Sequence, residues 1–144
     1  MELETPIARQ STSRVNVQQA IPFFRVTNME ASLHYYVDGL GFEMTKKWIP
    51  NDRIEWCWLQ LGDAALMLQT FRKPPEQRVG VGVSICFQCQ DALQIYRDVT
   101  SRGIQASRPM VGNALWVTGM TDPDGYRIEF ASPTDVPEET EYSE

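Results

Sequence analysis

The chain has 144 residues, of which 42% are hydrophobic and 22% charged, and a formal net charge of −6; this describes one soluble compact domain, or two small modules sharing a core. No apolar run approaches the ~20 residues that a membrane-spanning helix needs. Met1, Glu2, Leu3 and Glu4 have neither the basic patch nor the apolar stretch of a signal peptide, so a cytoplasmic protein with no membrane partner is expected.

The charge is unevenly placed. Asp135, Glu138, Glu139, Glu141 and Glu144 all fall in residues 133–144, which hold no Lys or Arg; without those five charges the net falls from −6 to −1. Nucleic-acid binding needs a basic stripe that this nearly neutral remainder lacks.

Residues 1–17 are polar and aperiodic and read as a flexible arm. An apolar strand over residues 21–26 follows. Thr27 and Glu30 are spaced as a capping box, and Met29, Leu33, Tyr36, Val37 and Leu40 form the stripe of one amphipathic helix, ended by Gly39 and Gly41. Phe42 opens the next strand, and two more, over residues 54–61 and 65–71, are joined at Gly62 and Asp63. A second strand–helix unit begins at residues 83–87. Asp91 is its N-cap, Ala92, Ile95, Tyr96 and Val99 its apolar stripe, and Gly103 its stop, with Ile104 mirroring Phe42. Strands over residues 114–120 and 126–131 complete it around the turn Asp122, Pro123, Asp124, Gly125. The tail, residues 133–144, is expected to fray.

The chain therefore says the same thing twice, with an offset of about 62 residues that sets Gly41 against Gly103 and Gly62 against Gly125. The expected fold is α+β: two βαβββ modules, residues 18–73 and 80–132, forming a curled mixed sheet around a concave space. Three cysteines, Cys57, Cys86 and Cys89, are too few for a disulfide framework. The Cys86–Cys89 spacing of three lies within a strand, which puts the two thiols on opposite faces; they read as packing residues.

Ordered motifs across about residues 20–132 resemble the glyoxalase/bleomycin-resistance/dioxygenase (vicinal-oxygen-chelate) superfamily. They are the run from Arg25 to Leu33, Tyr35 and Tyr36, the Gly39–Phe42 segment, the Leu59–Asp63 segment, Tyr96 through Ile104, and above all the run Thr121 to Phe130. The resemblance implies paired βαβββ modules and a site within a curled half-barrel, often shared across a dimer. Members either chelate a divalent metal or simply bind a ligand. The chelating positions carry over to Ile21, to Met67 or Gln69, to Ser84 and to Glu129, and only Glu129 keeps a ligand type. Ile and Met offer no oxygen or nitrogen donor and a neutral serine is a poor ligand, so no metal and no other cofactor is expected. The single histidine, His34, is off the apolar stripe of its helix and reads as a surface residue.

Strand alternation then assigns a face toward the concave space. It takes Ile21, Phe23 and Arg25; Trp56, Trp58 and Gln60; Met67 and Gln69; Ser84, Cys86 and Gln88; Trp116 and Thr118; and Arg127 and Glu129. Flat aromatic surfaces with a few orienting polar groups suit a planar organic ligand, and tryptophan can also stack a cation. Trp48 is placed on the rim. The candidate ligand-binding set is Phe23, Arg25, Trp56, Trp58, Gln60, Met67, Gln69, Ser84, Trp116 and Arg127. Glu129 is the one candidate catalytic base, with a competing role as the salt-bridge partner of Arg25 or Arg127. Tyr35, Tyr36 and Tyr96 read as core residues whose hydroxyls reach water. The expected function is metal-free binding of an aromatic or glycopeptide-like compound by a homodimer. The alternative is a lyase, isomerase or dioxygenase acting through Glu129.

Overall fold

A computed structural model describes residues 16–144; the expected arm, residues 1–17, lies outside them except for its last two positions. The first unit contains strand β1 (Phe23–Val26), helix α1 (Met29–Leu33) and strands β2 (Glu43–Trp48), β3 (Trp56–Leu61) and β4 (Ala64–Thr70). The second contains β5 (Ser84–Gln88), α2 (Ala92–Ser101), β6 (Met110–Gly112), β7 (Leu115–Thr121) and β8 (Arg127–Pro133). Each unit is a four-stranded mixed sheet with the same order, β1-β4-β3-β2 and β5-β8-β7-β6. In each, the first strand pairs parallel with the last and the other pairs are antiparallel. The repeat read in the sequence is thus a repeat of topology.

The helix stops are part of that repeat. Gly41 and Gly103 take φ of +91° and +88°, a left-handed conformation that costs a side chain with a Cβ but not glycine. The first helix differs from its expected form in two ways. Asn28, not Thr27, caps it, its Oδ1 accepting from the Ala31 N–H at 3.0 Å. Thr27 is instead drawn into a contact with Asp124, described below. After Leu33 the helix widens into a π-helical turn over His34–Gly39, in which the Leu40 N–H bonds the Tyr35 carbonyl at 3.0 Å. A single π turn shifts the helical phase, and here Tyr36 ends fully buried.

One core joins the units. Alternate residues of β1, β3 and β4 (Phe24, Val26, Cys57, Leu59, Leu66 and Leu68) are buried with Met29, Tyr36 and Leu40. Phe42 contacts Tyr36 edge-on, Phe87 contacts Phe42, and Phe87 stacks on Phe130 at 5.5 Å, a row of rings that crosses from the first unit to the second. Phe24 stacks on Tyr126 at 3.9 Å. Each such side chain contributes roughly 1.5–3 kcal/mol by leaving water.

The tail does not fray as its composition led us to expect. The Glu139 N–H bonds the Val111 carbonyl, the Val111 N–H bonds Thr140, and the Tyr142 N–H bonds Pro109. The Glu138 carboxylate accepts from the backbone N–H groups of Asn113 and Ala114 at 2.6 and 3.1 Å. Tyr142 closes the strap, its hydroxyl accepting from Arg97 at 2.8 Å and its ring packing against Tyr96 and Trp116. Acidic composition predicts fraying only when the backbone finds no partners, and here the edge strand β6 and the residues flanking it supply them. The strap lies on the side of α2, away from the open faces of the sheets.

Candidate functional site

Strand register decides which side chains share a face, because directly paired residues point the same way. In the first sheet two rows run across all four strands. One is Lys46, Trp58, Met67 and Phe23; the next is Trp48, Trp56, Gln69 and Arg25. They occupy the face opposite the helices, and none of the eight is buried. Phe23 is 46% and Trp48 52% exposed. Six of the seven residues expected from this module, Phe23, Arg25, Trp56, Trp58, Met67 and Gln69, are therefore brought together. The seventh, Gln60, lies on the same face and has a definite task. Its Oε1 accepts from the Trp58 indole N–H at 2.8 Å and its Nε2 donates to the Gly62 carbonyl at 2.9 Å, fixing the indole against the hairpin.

Two aromatic rings of this face already carry a cation. Lys46 Nζ stands 4.9 Å from the centre of a Trp58 ring, and Arg25 Cζ stands 5.3 Å from the Phe23 ring centre. Among the described residues neither Lys46 nor Arg25 lies within 4.0 Å of a carboxylate. Lys46 is not among the expected residues, because the sequence assigns no face to the strand that Phe42 opens, and alternation would have misplaced it. The register shifts between Met44 and Lys46, and one extra residue inverts the two-residue alternation on which face assignment rests.

In the second sheet, register places Ser84 beside Arg127, and Cys86 beside Glu129, with Gly119 beside Glu129 on its other flank. Arg127 Nη2 lies 3.8 Å from Glu129 Oε2, one of the two pairings expected for that carboxylate. The guanidinium sits over Gly119, in the space that any Cβ there would fill.

Trp116 does not join this face. It pairs with Ser132, whose hydroxyl accepts from the Ala92 N–H at the start of α2, and its ring meets Tyr142 at 6.1 Å. Thr118 pairs with buried Phe130 on that same side, where its hydroxyl donates to the Ser107 carbonyl at 2.7 Å. Trp116 and Thr118 thus face the helix and the strap, while Val117 faces the open side. The expected phase failed because this strand is apolar on both faces, so alternation carried no contrast.

The tyrosines also differ from expectation. Tyr36 donates to buried Asp122 rather than to water, and the Tyr35 hydroxyl is buried with no hydrogen-bond partner among the described residues. Burial raises both phenols, with the Asp122 charge adding to it. His34 is exposed and reaches Asp38 at 2.9 Å.

The residues at the chelating positions do not fit a metal. Ile21, Met67, Gln69 and Ser84 supply no anionic donor, and Glu129 is engaged by Arg127. Among the described residues no three His, Cys, Asp or Glu side chains are grouped as a metal site would need. A cleft of about 600 Å³ that the sequence did not announce lies on the helix side, lined in part by Leu61, Asp63, Phe87, Cys89 and Arg102; it contains none of the expected site residues. No helix among the described residues is long and apolar enough to cross a membrane.

Comparison with known proteins places this geometry. The sequence pattern of the Glyoxalase/Bleomycin resistance protein/Dioxygenase superfamily matches residues 17–130. A lactoylglutathione lyase of Neisseria meningitidis is 28% identical over 115 residues, covering 74% of this chain and 83% of its own. Among solved structures, a bleomycin-binding protein complexed with bleomycin superposes with a TM-score of 0.66 at 22% identity, covering 81% of this chain and 98% of that one. A bleomycin resistance determinant encoded on the transposon Tn5 gives 0.67 at 22% identity, with 83% and 100% covered. At such identities the two structures establish the fold.

Proposed function

This chain belongs to the glyoxalase/bleomycin resistance protein/dioxygenase superfamily, and from that premise we propose that it is a metal-free binding protein that sequesters an aromatic or glycopeptide-like compound. The observation that carries this reading is the pair of rows Lys46–Trp58–Met67–Phe23 and Trp48–Trp56–Gln69–Arg25 on one open sheet face. Aromatic and thioether surface supplies contact area, and Gln69 supplies an amide to orient a ligand. That a structural relative is a bleomycin-binding protein supports the binding of an organic molecule by this fold.

A homodimer fits the same observation. Phe23, Trp48, Ile49, Val83 and Met110 are all more than 40% exposed, and apolar surface of this kind is ordinarily covered by a ligand or a partner. A second copy facing the open sheets would cover Phe23, Trp48 and Met110, which lie on those faces. Three free cysteines suit a reducing compartment, which supports a cytoplasmic location.

The enzymatic alternative has the likeness to a lactoylglutathione lyase in its favour. Against it stands the contact of Glu129, the candidate base, with Arg127 Nη2 at 3.8 Å. The deciding experiment follows tryptophan fluorescence while planar aromatic compounds and bleomycin are titrated into the protein and into its Trp58→Phe variant, with sedimentation measured in parallel. Saturable changes that Trp58→Phe diminishes support the reading. Unchanged responses in the variant overturn it.

A further inference from the structure

We propose that the open face of the first module selects planar aromatic ligands that carry an anionic group, of which an aromatic carboxylate is the simplest, over neutral and cationic ones. This rests on the reading of that face as the ligand site and adds to it the charge of the occupant.

The sequence alone leaves the sign open, because an exposed tryptophan can stack a cation supplied by the ligand. The structure removes that role from two rings. Lys46 covers Trp58 and Arg25 covers Phe23, at 4.9 and 5.3 Å from the ring centres. A cationic ligand must displace a tethered ammonium or guanidinium, and then remain beside it at like-charge distance. An anionic ligand meets the opposite situation. Both cations are held by rings, which leave their N–H donors free, and neither has a carboxylate within 4.0 Å among the described residues.

Their placement adds geometry. In the order β1-β4-β3-β2 the two cations come from the two outermost strands, which neighbour spacing sets roughly 14 Å apart. Between them lie Trp58 and Met67 in one row and Trp56 and Gln69 in the next. A flat ring system resting on that central surface therefore has a positive charge at either edge for a substituent to meet. Acidic groups are poorly placed to reverse this. Glu43 shares the face but pairs with Gln60, at the hairpin end beyond the two rows. Glu129 lies on the open face of the other sheet, with Arg127 Nη2 at 3.8 Å from its carboxylate. The chain's net charge of −6 repels an anion at long range, but at physiological salt such effects are screened beyond about 8 Å. Within the face the local cations decide.

The test uses three probes that share one ring system, 2-naphthoate, 2-naphthamide and 2-naphthylmethylammonium, each titrated calorimetrically into the full chain. Naphthoate should bind about tenfold more tightly than the amide, the ammonium should bind most weakly, and naphthoate's advantage should shrink as salt is raised. Lys46→Gln and Arg25→Gln should each cut that advantage by about threefold. Lys46 is exposed and makes no ion pair among the described residues, so the charge reversal Lys46→Glu should fold, as circular dichroism will verify, and should bring the ammonium level with naphthoate or ahead of it. Equal or tighter binding of the ammonium by the unaltered protein, or a preference for naphthoate that survives Lys46→Glu, overturns the charge selection and leaves the aromatic face standing. Failure of all three probes to bind overturns both.

Discussion

The Tyr36 hydroxyl donates a 2.7 Å hydrogen bond to Asp122 Oδ2 across 86 residues of chain, joining the first helix to the last turn. Asp122 Oδ1 accepts from the backbone N–H groups of Asp124 and Tyr126, and the Asp124 carboxylate in turn accepts from the Thr27 hydroxyl at 2.6 Å and from its N–H. The turn motif that most strongly marked the family in the sequence is thus the tie between the two modules. It also explains why Thr27 gives up the capping role to Asn28.

Tyr36→Phe should destabilise the protein by about 2 kcal/mol at neutral pH, the typical cost of removing a hydrogen bond to a charged group. Burial pushes the Asp122 carboxyl above its ordinary value of 3.8, and the Tyr36 hydroxyl is the first of the hydrogen bonds that pull it back. A carboxyl raised in the folded state contributes stability that is full below its unfolded value and is lost as pH rises through the folded one. Without the hydroxyl the carboxyl climbs further, so more is lost on the way to neutrality. The difference between variant and parent should therefore shrink as pH falls toward 3.8. Urea unfolding of both proteins along a pH series measures it; a difference that is constant or grows toward acid contradicts the arrangement.

The three thiols should react in a set order. Cys57 is buried and its thiol is pushed up to about 11, so it should stay unmodified by a disulfide reagent until the protein unfolds. Cys86 is exposed, yet burial of its sulfur and the neighbouring Glu129 charge both raise it. It should react first, but slowly, and Glu129→Gln should accelerate it. Peptide mapping after timed labelling checks the order and the acceleration together, and the second result reports directly on the Cys86–Glu129 register pair.

Chelator-stripped protein should show no micromolar affinity for manganese, nickel, zinc, cobalt or iron by calorimetry. A strong site for such ions draws on several nitrogen, thiolate or carboxylate donors, and the positions that supply them in chelating members hold Ile21, Met67 or Gln69, and Ser84. Micromolar binding of any of these metals, lost in Glu129→Gln, would restore the chelating reading.

What the sequence disclosed, and what it withheld, follows the same physical division. The repeat was legible because glycines at Gly41 and Gly103 mark helix stops that only a left-handed residue can make. The first-module face was legible because Cys57 and Leu59 alternate cleanly with Trp56, Trp58 and Gln60. Where that contrast vanished, the reading failed. β7 is apolar on both sides, so alternation puts Trp116 on the wrong face, and β2, whose register shifts between Met44 and Lys46, receives no face assignment from the sequence. The tail's docking was invisible for another reason: its partners are largely backbone groups in and beside β6, and backbone hydrogen bonding leaves little trace in composition.

Trp116 and Trp58 should consequently answer different perturbations. Tyr142 packs against Trp116 and Tyr96 and accepts from Arg97, so Tyr142→Ala should open the helix side of β7 to water. Trp116 emission should move to longer wavelength, and stability should fall by about 3 kcal/mol, the lower end for deleting a packed ring, since Tyr142 is only half-buried. Ligand response should survive, because the strap and the Trp58 rows lie on opposite sides of the sheets. Trp58→Phe should do the reverse, diminishing the response to aromatic probes with little change in stability, since Trp58 is only partly buried. Fluorescence of the two variants, each with and without 2-naphthoate, separates the cases. If Tyr142→Ala abolishes the response while Trp58→Phe leaves it intact, the binding surface lies under the tail and not on the open face.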